Sequence, residues 1–152
     1  MNQRELFLQH VAQTSDAPLA LEIVRAAGCK MWDRDGKEYI DVISGISVCN
    51  VGHCHPKVVE AIAAQAATLN THTRYLHEGL LDYIEALTAT FGPGFDCAML
   101  TCTGSEANDI ALRVAQAVTG KRGIIATDHT YHGNTASVLP LSKTNPPPGG
   151  AP

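Results

Sequence analysis

The sequence predicts an α/β fold, and three observations carry that expectation. Two short apolar runs, 96–102 and 123–127, flank a segment with helical periodicity. Strand, helix, strand in that order argues a parallel unit with a right-handed crossover. Aromatic residues make up only 5% of the chain, whereas glycine occurs 13 times; such small residues let helices lie close to a sheet. Upstream, apolar-rich runs between about 20 and 43 read as a small antiparallel sheet.

The 152 residues are 45% hydrophobic and 17% charged, enough for one domain of ordinary size with a sizeable core. Eleven basic residues against fifteen acidic ones leave a net charge of -4 with no basic block, so a nucleic-acid partner is not expected. No run approaches 18 apolar residues and the first thirteen residues are polar and mixed in charge, which predicts neither a membrane span nor a secretory leader. A cytoplasmic protein is the expectation. Its five cysteines (Cys29, Cys49, Cys54, Cys97, Cys102) are then reduced and mostly buried thiols.

In chain order, 4–13 reads as a short amphipathic helix bearing Leu6, Leu8 and Val11. Three strands follow, with Asp35-Gly36 as the turn before the last. Irregular chain runs from Ser44 to His55, and Pro56 opens a helix with Val59, Ile62, Ala66 and Leu69 on one face. A second helix spans about 78–90 and is stopped by Gly92-Pro93-Gly94. The run 96–102 is a buried strand that turns at Thr103-Gly104-Ser105 into a helix over 105–118, ended by Gly120. The run 123–127 is a second buried strand, leading to Tyr131-His132-Gly133. The last ten residues, from Lys143, are dense in proline and glycine and read as loop.

The strand–Thr103-Gly104-Ser105–helix junction is the strongest chemical signal. A helix N-terminus presents unpaired N–H groups and partial positive charge, so it can hold a phosphate. Gly104 lets an anion reach the backbone, and Thr103 and Ser105 add hydroxyls. The same residues also suit a plain helix cap. Glu106 and Asp109 must point away from a bound dianion; Asp109 can pair with Arg113 four residues on. Tyr131 and His132 follow the other apolar run and could face the same crevice, where an aromatic ring suits a flat phosphorylated heterocycle. His53-Cys54-His55 lacks the further ligands that a metal site needs, so these histidines are expected to fix the loop and cap the next helix. Cys102 with His132 as base is a possible nucleophilic pair, and a buried thiol is the plainer reading. Arg74 could clamp a carboxylate or simply be solvated.

Cys102-Thr103-Gly104-Ser105-Glu106-Ala107-Asn108-Asp109, Thr119-Gly120 and Tyr131-His132-Gly133-Asn134-Thr135 together resemble class III (ω-amino-acid type) pyridoxal-phosphate aminotransferases. So do Asp41-Val42-Ile43-Ser44-Gly45-Ile46 and Gly52-His53-Cys54-His55-Pro56. The segment Leu69–His77 further resembles the branch of alanine–glyoxylate aminotransferases and ethanolamine-phosphate phospholyases. The family form has Asn-Ser where this chain has Cys102-Thr103, and Thr103 keeps a hydroxyl. The resemblance implies an incomplete α/β fold of PLP-dependent transferase fold type I. Residues 1–54 would be the N-terminal segment of a small α+β domain. Residues 55–152 would begin the large parallel-sheet cofactor domain.

Carried over by motif, Gly104, Ser105 and Thr103 would bind the phosphate of pyridoxal 5'-phosphate, Tyr131 would stack on its ring, and His132 would be a neighbour. Ile46, Ser47 and Tyr75 would lie towards substrate. No metal is implied. The Schiff-base lysine of the family has no counterpart among Lys30, Lys37, Lys57, Lys121 and Lys143, so the chain by itself is expected to be inactive, as the first third of a longer enzyme. That enzyme would be a homodimer moving an amino group from an amino acid or amine to a 2-oxo acid. The alternatives are a phospholyase acting on a phosphorylated amine, or a non-catalytic phosphate- or cofactor-binding chain.

Overall fold

The polar N-terminus begins a helix because Asn2 and Glu5 cap it reciprocally. The Glu5 amide donates to Asn2 Oδ1 and the Asn2 amide to Glu5 Oε2, each at 2.9 Å. The resulting helix α1 spans Gln3–His10. This computed structural model describes residues 2–11, 19 and 21–142, and omits the side chains of Ile46 and Ser47. The chain forms two compact units, Met1–Tyr75 and Leu76–Pro152.

In the first unit the expected antiparallel sheet is present as β1 (Ile23–Ala27), β2 (Lys30–Asp33) and β3 (Glu38–Ile40), in that spatial order. Asp33 builds the second hairpin. Its Oδ1 accepts from the amides of Asp35 (3.1 Å) and Lys37 (2.9 Å), while Oδ2 accepts from the Tyr39 hydroxyl at 2.8 Å. That hydroxyl, helped by the two amides, holds the Asp33 carboxyl below its ordinary pKa. Gly36 takes φ +81°, which the reversal needs and a Cβ would resist. After β3 the chain makes a four-residue helical turn, α2 (Ser44–Ser47), where irregular chain was expected. Helix α3 then spans Pro56–Thr68 with proline in its first turn, as the sequence predicts.

The second unit holds α4 (Glu78–Thr88), α5 (Gly104–Thr119) and a 3-10 turn, Leu139–Leu141. Helix α4 stops at Thr88, earlier than expected. There Thr90 and Phe91 donate backward to the carbonyls of Leu87 and Thr88 and tighten the chain before Gly92 is reached. Gly120 ends α5 in the left-handed region, φ +68°, as anticipated.

The two runs expected as buried strands are neither strands nor buried. Residues 96–102 and 123–127 carry no ladder; Met99 is 68% exposed and Ile125 fully exposed. An apolar run becomes a strand only where a neighbour takes up its N–H and C=O groups, and no neighbour stands beside either run among the described residues. The expected core is absent from the described residues for the same reason. The apolar face of α3 lies open, Leu80, Ile84 and Leu87 of α4 are half-buried, and among the described residues only Val138 and Ser142 have fully buried side chains. The cysteines, expected to be mostly buried, are free thiols, four of them exposed and Cys49 half-buried. No described helix is long and apolar enough to cross a membrane.

Candidate functional site

Helix α5 opens on a reciprocal cap. The Thr103 hydroxyl oxygen accepts from the Glu106 amide at 3.1 Å, and Glu106 Oε2 accepts from the amides of Cys102 and Thr103, each at 2.9 Å. The Thr103 hydroxyl in turn donates weakly to that carboxylate at 3.3 Å. Glu106 is thereby folded back on the chain before the helix. Thr103 is engaged as the cap, which is the plainer of the two roles its sequence position allows.

The cap leaves two donors over. The amides of Gly104 and Ser105 are the first two of the helix, too early for an intrahelical acceptor, and none of the described residues accepts from them. Above Gly104 there is open space: a Cβ there would meet nothing within 4 Å. Ser105 Oγ accepts from the Asn134 amide at 3.1 Å, so its own hydrogen is left to donate. Two amides without acceptors, a hydroxyl and the positive end of a four-turn helix are groups that can cradle an anion.

The loop after the second apolar run docks on this helix end. Asn108 Nδ2 donates to the His132 carbonyl at 2.8 Å, and the Thr135 hydroxyl donates to Asp109 Oδ1 at 3.2 Å. Asp109 therefore serves the loop, and not Arg113 as the i,i+4 spacing predicts; Thr135 presents a hydroxyl to the half-buried side of its carboxylate. Beneath the loop, buried Ser142 accepts the His132 amide at 2.8 Å. The Thr130 hydroxyl lies 2.8 Å from the Thr127 carbonyl, to which it donates, and 2.9 Å from His132 Nε2. Gly133 makes the closest approach: a Cβ there would lie 2.5 Å from Ser105 Oγ. Tyr131 is 57% exposed.

Thr103, Gly104, Ser105 and His132 thus belong to one cluster, to which Tyr131 is joined by the chain. Sequence reasoning did not assign roles to Asn134, Thr135 or Ser142 and gave Asn108 none of its own. Their contacts span 10 to 29 residues, and no local periodicity encodes such pairings.

The residues expected to face substrate belong to the other unit. Ile46 and Ser47 fall in α2, and their side chains lie outside the described residues. Asp41 organises the approach to α2: its Oδ1 accepts from the amides of Ile43 and Ser44, and its Oδ2 lies 2.7 Å from His53 Nε2. The His53 contact, ahead of the two amides, lowers the Asp41 pKa despite the burial that opposes it. His53 also exchanges backbone hydrogen bonds with Gly28, so it does fix the loop. His55 occupies the cap position of α3 through its backbone alone, and its buried Nδ1 has no partner among the described residues. Tyr75 is exposed and stacks on His72 at 4.9 Å. The described residues contain no cluster of His, Cys, Asp or Glu suited to a metal.

Residues 11–148 match the family model described as aminotransferase class-III. The chain is 43% identical over 133 residues to an alanine–glyoxylate aminotransferase 2-like protein of Drosophila melanogaster, covering 86% of this chain and 26% of that protein. Among solved structures, a phospholyase from Arthrobacter in complex with phosphoethanolamine shares 38% identity with a TM-score of 0.73, over 88% of this chain and 31% of the other. A taurine:2-oxoglutarate aminotransferase from Bifidobacterium kashiwanohense, in complex with PLP and glutamate, shares 31% with a TM-score of 0.73, over 86% and 30%. The chain thus spans between about a quarter and a third of the length of these relatives. Its fold is that of the PLP-dependent fold type I enzymes. The chain belongs to the class-III aminotransferases.

Proposed function

We propose that the protein is a pyridoxal-phosphate-dependent aminotransferase, moving an amino group from an amino acid or amine to a 2-oxo acid, and that this chain holds the cofactor's phosphate. One observation carries the assignment of the site: the amides of Gly104 and Ser105, first in a helix, have no acceptor among the described residues, and the space a side chain at Gly104 would fill is open. The residues present fit a phosphate, because neutral N–H and O–H donors can bind a dianion while the Glu106 carboxylate is engaged by the Cys102 and Thr103 amides.

When bound, pyridoxal phosphate supplies an electron sink for the bond broken at the amine-bearing carbon. The chain's own contribution is binding and orientation. Gly104 and Ser105 fix the phosphate end, and the exposed Tyr131 offers a stacking surface for the ring. His132 is the next residue, with Nε2 in hydrogen-bond contact with the Thr130 hydroxyl. In the other unit, Asp41 sets the backbone before the proposed substrate segment Ile46-Ser47, with Tyr75 as a further substrate-side residue. The proposal assigns no catalytic lysine to these residues; Lys121 lies beyond the far end of α5, about 24 Å along the axis from Gly104 at 1.5 Å per residue. A homodimer is part of the proposal, and the open apolar face of α3 is consistent with it.

The likeness to the Arthrobacter phospholyase favours a second reading, elimination from a phosphorylated amine. One assay separates them. An aminotransferase consumes an amine only when a 2-oxo acid is supplied, and a phospholyase releases phosphate from phosphoethanolamine with no acceptor. Phosphate release without acceptor, together with no acceptor-dependent turnover, would replace the first reading by the second.

A further inference from the structure

Three side-chain contacts fasten the Tyr131–Thr135 loop to the first two turns of α5, and the cradle itself requires none of the groups on the loop side. Asn108 holds the His132 carbonyl, Asp109 holds the Thr135 hydroxyl, and Ser105 holds the Asn134 amide. Resting on the function proposed above, we propose that Asn108 and Asp109 are positioning residues. They latch the loop onto the helix and so register the aromatic residue Tyr131 against the phosphate cradle.

The geometry favours a latch over unrelated polar contacts with solvent. Helical positions 105, 108 and 109 are three and four residues apart, so they lie on one face of α5. Their partners, His132, Asn134 and Thr135, fall within four consecutive residues of the loop. Contact at Gly133 is close enough that a Cβ would overlap both Ser105 Oγ and Ser105 Cα, so loop backbone and helix backbone are in direct apposition. From below, Ser142 takes the His132 amide while being almost wholly buried. Both backbone groups of His132 are therefore held, and Tyr131 is the next residue along. A ligand with a phosphate and a flat ring needs a fixed distance between anion cradle and stacking face. Inorganic phosphate needs only the cradle.

That difference supplies the test, made on the native protein freed of cofactor. Asn108→Leu with Thr135→Val removes both donors of the latch at nearly constant size. Pyridoxal phosphate should then bind about tenfold more weakly, the order expected for losing two modest hydrogen bonds, while inorganic phosphate stays within about twofold. Amide exchange at His132 and Asn134 should accelerate by about tenfold, with no change over 110–119. Thr135→Ser, which keeps the hydroxyl, should match the wild type in every readout. Equal weakening of both ligands, or unchanged exchange at His132 and Asn134, would overturn the latch. Wild-type protein that takes up neither ligand would instead overturn the cofactor assignment, and the exchange measurement would still decide whether the latch holds the loop.

Discussion

Replacing Gly133 by alanine would set a methyl carbon 2.5 Å from Ser105 Oγ and 2.8 Å from both Ser105 Cα and Cβ. The hydroxyl could rotate away, but Cα is helix backbone and cannot. Gly133 also sits at φ +124°, where an L side chain is strained whatever the space. Strained backbone costs on the order of 1–3 kcal/mol and overpacking a further 1–3 kcal/mol, together about 2–6 kcal/mol. Against this stand the three hydrogen bonds from Ser105, Asn108 and Asp109, at roughly 0.5–1.5 kcal/mol each, or about 1.5–4.5 kcal/mol. The ranges overlap with the penalty on the larger side, so the loop should leave the helix while α5 stays formed. Exchange of the Asn134 amide reads this directly, since Ser105 Oγ is its acceptor. A 2 kcal/mol loss corresponds to exchange faster by roughly 30-fold, with helical circular dichroism unchanged. Native protection of Asn134 in Gly133→Ala would show that the close approach does not exist.

Gly104→Ala is the opposite case. Its Cβ enters open space, so thermal stability should hold within about 0.5 kcal/mol while phosphate and pyridoxal phosphate both bind at least about tenfold more weakly; undiminished phosphate binding would remove Gly104 from the cradle. Thr103→Ala deletes the side-chain acceptor of the Glu106 amide and should cost about 1 kcal/mol, visible as a lower urea midpoint with an unchanged slope. The Asp41 carboxyl has a folded pKa below its ordinary 3.8. Its stabilisation is therefore complete above 3.8 and is lost as pH falls through the lower, folded value. Amide protection at Ile43 and Ser44 should fade in that acid window, and in Asp41→Asn it should no longer titrate there.

Local chemistry made part of this molecule legible from its residues. The Asp35-Gly36 turn, proline at the start of α3, Gly120 at the end of α5 and the Thr103 helix cap each depend on neighbours within about four positions, and all four fall as read. Periodicity misled where burial depends on distant partners. Ala98-Met99-Leu100 and Ile124-Ile125-Ala126 carry the apolarity of interior strands, yet their hydrogen-bonding edges meet no neighbour among the described residues. Asp109 shows the same limit on a smaller scale. Spacing alone offers it Arg113, whereas the folded chain brings Thr135 from 26 residues away.

The two readings of Thr103-Gly104-Ser105, a capped helix and the proposed anion site, do not compete for the same donors. A helix N-terminus with every donor satisfied by its own side chains has nothing left for a ligand. Here the Thr103–Glu106 box takes the Glu106 amide and the two amides that precede the helix. It thereby draws the nearest carboxylate back along the chain and leaves the first two helical amides unclaimed. Swapping Glu106 for glutamine tests this division of labour. If the carboxylate is already directed away, removing its charge should raise phosphate affinity only slightly, by less than about threefold, while stability falls with the weakened cap. A gain of tenfold or more would mean that Glu106 faces the anion, and the cradle would then have to be sought elsewhere on α5.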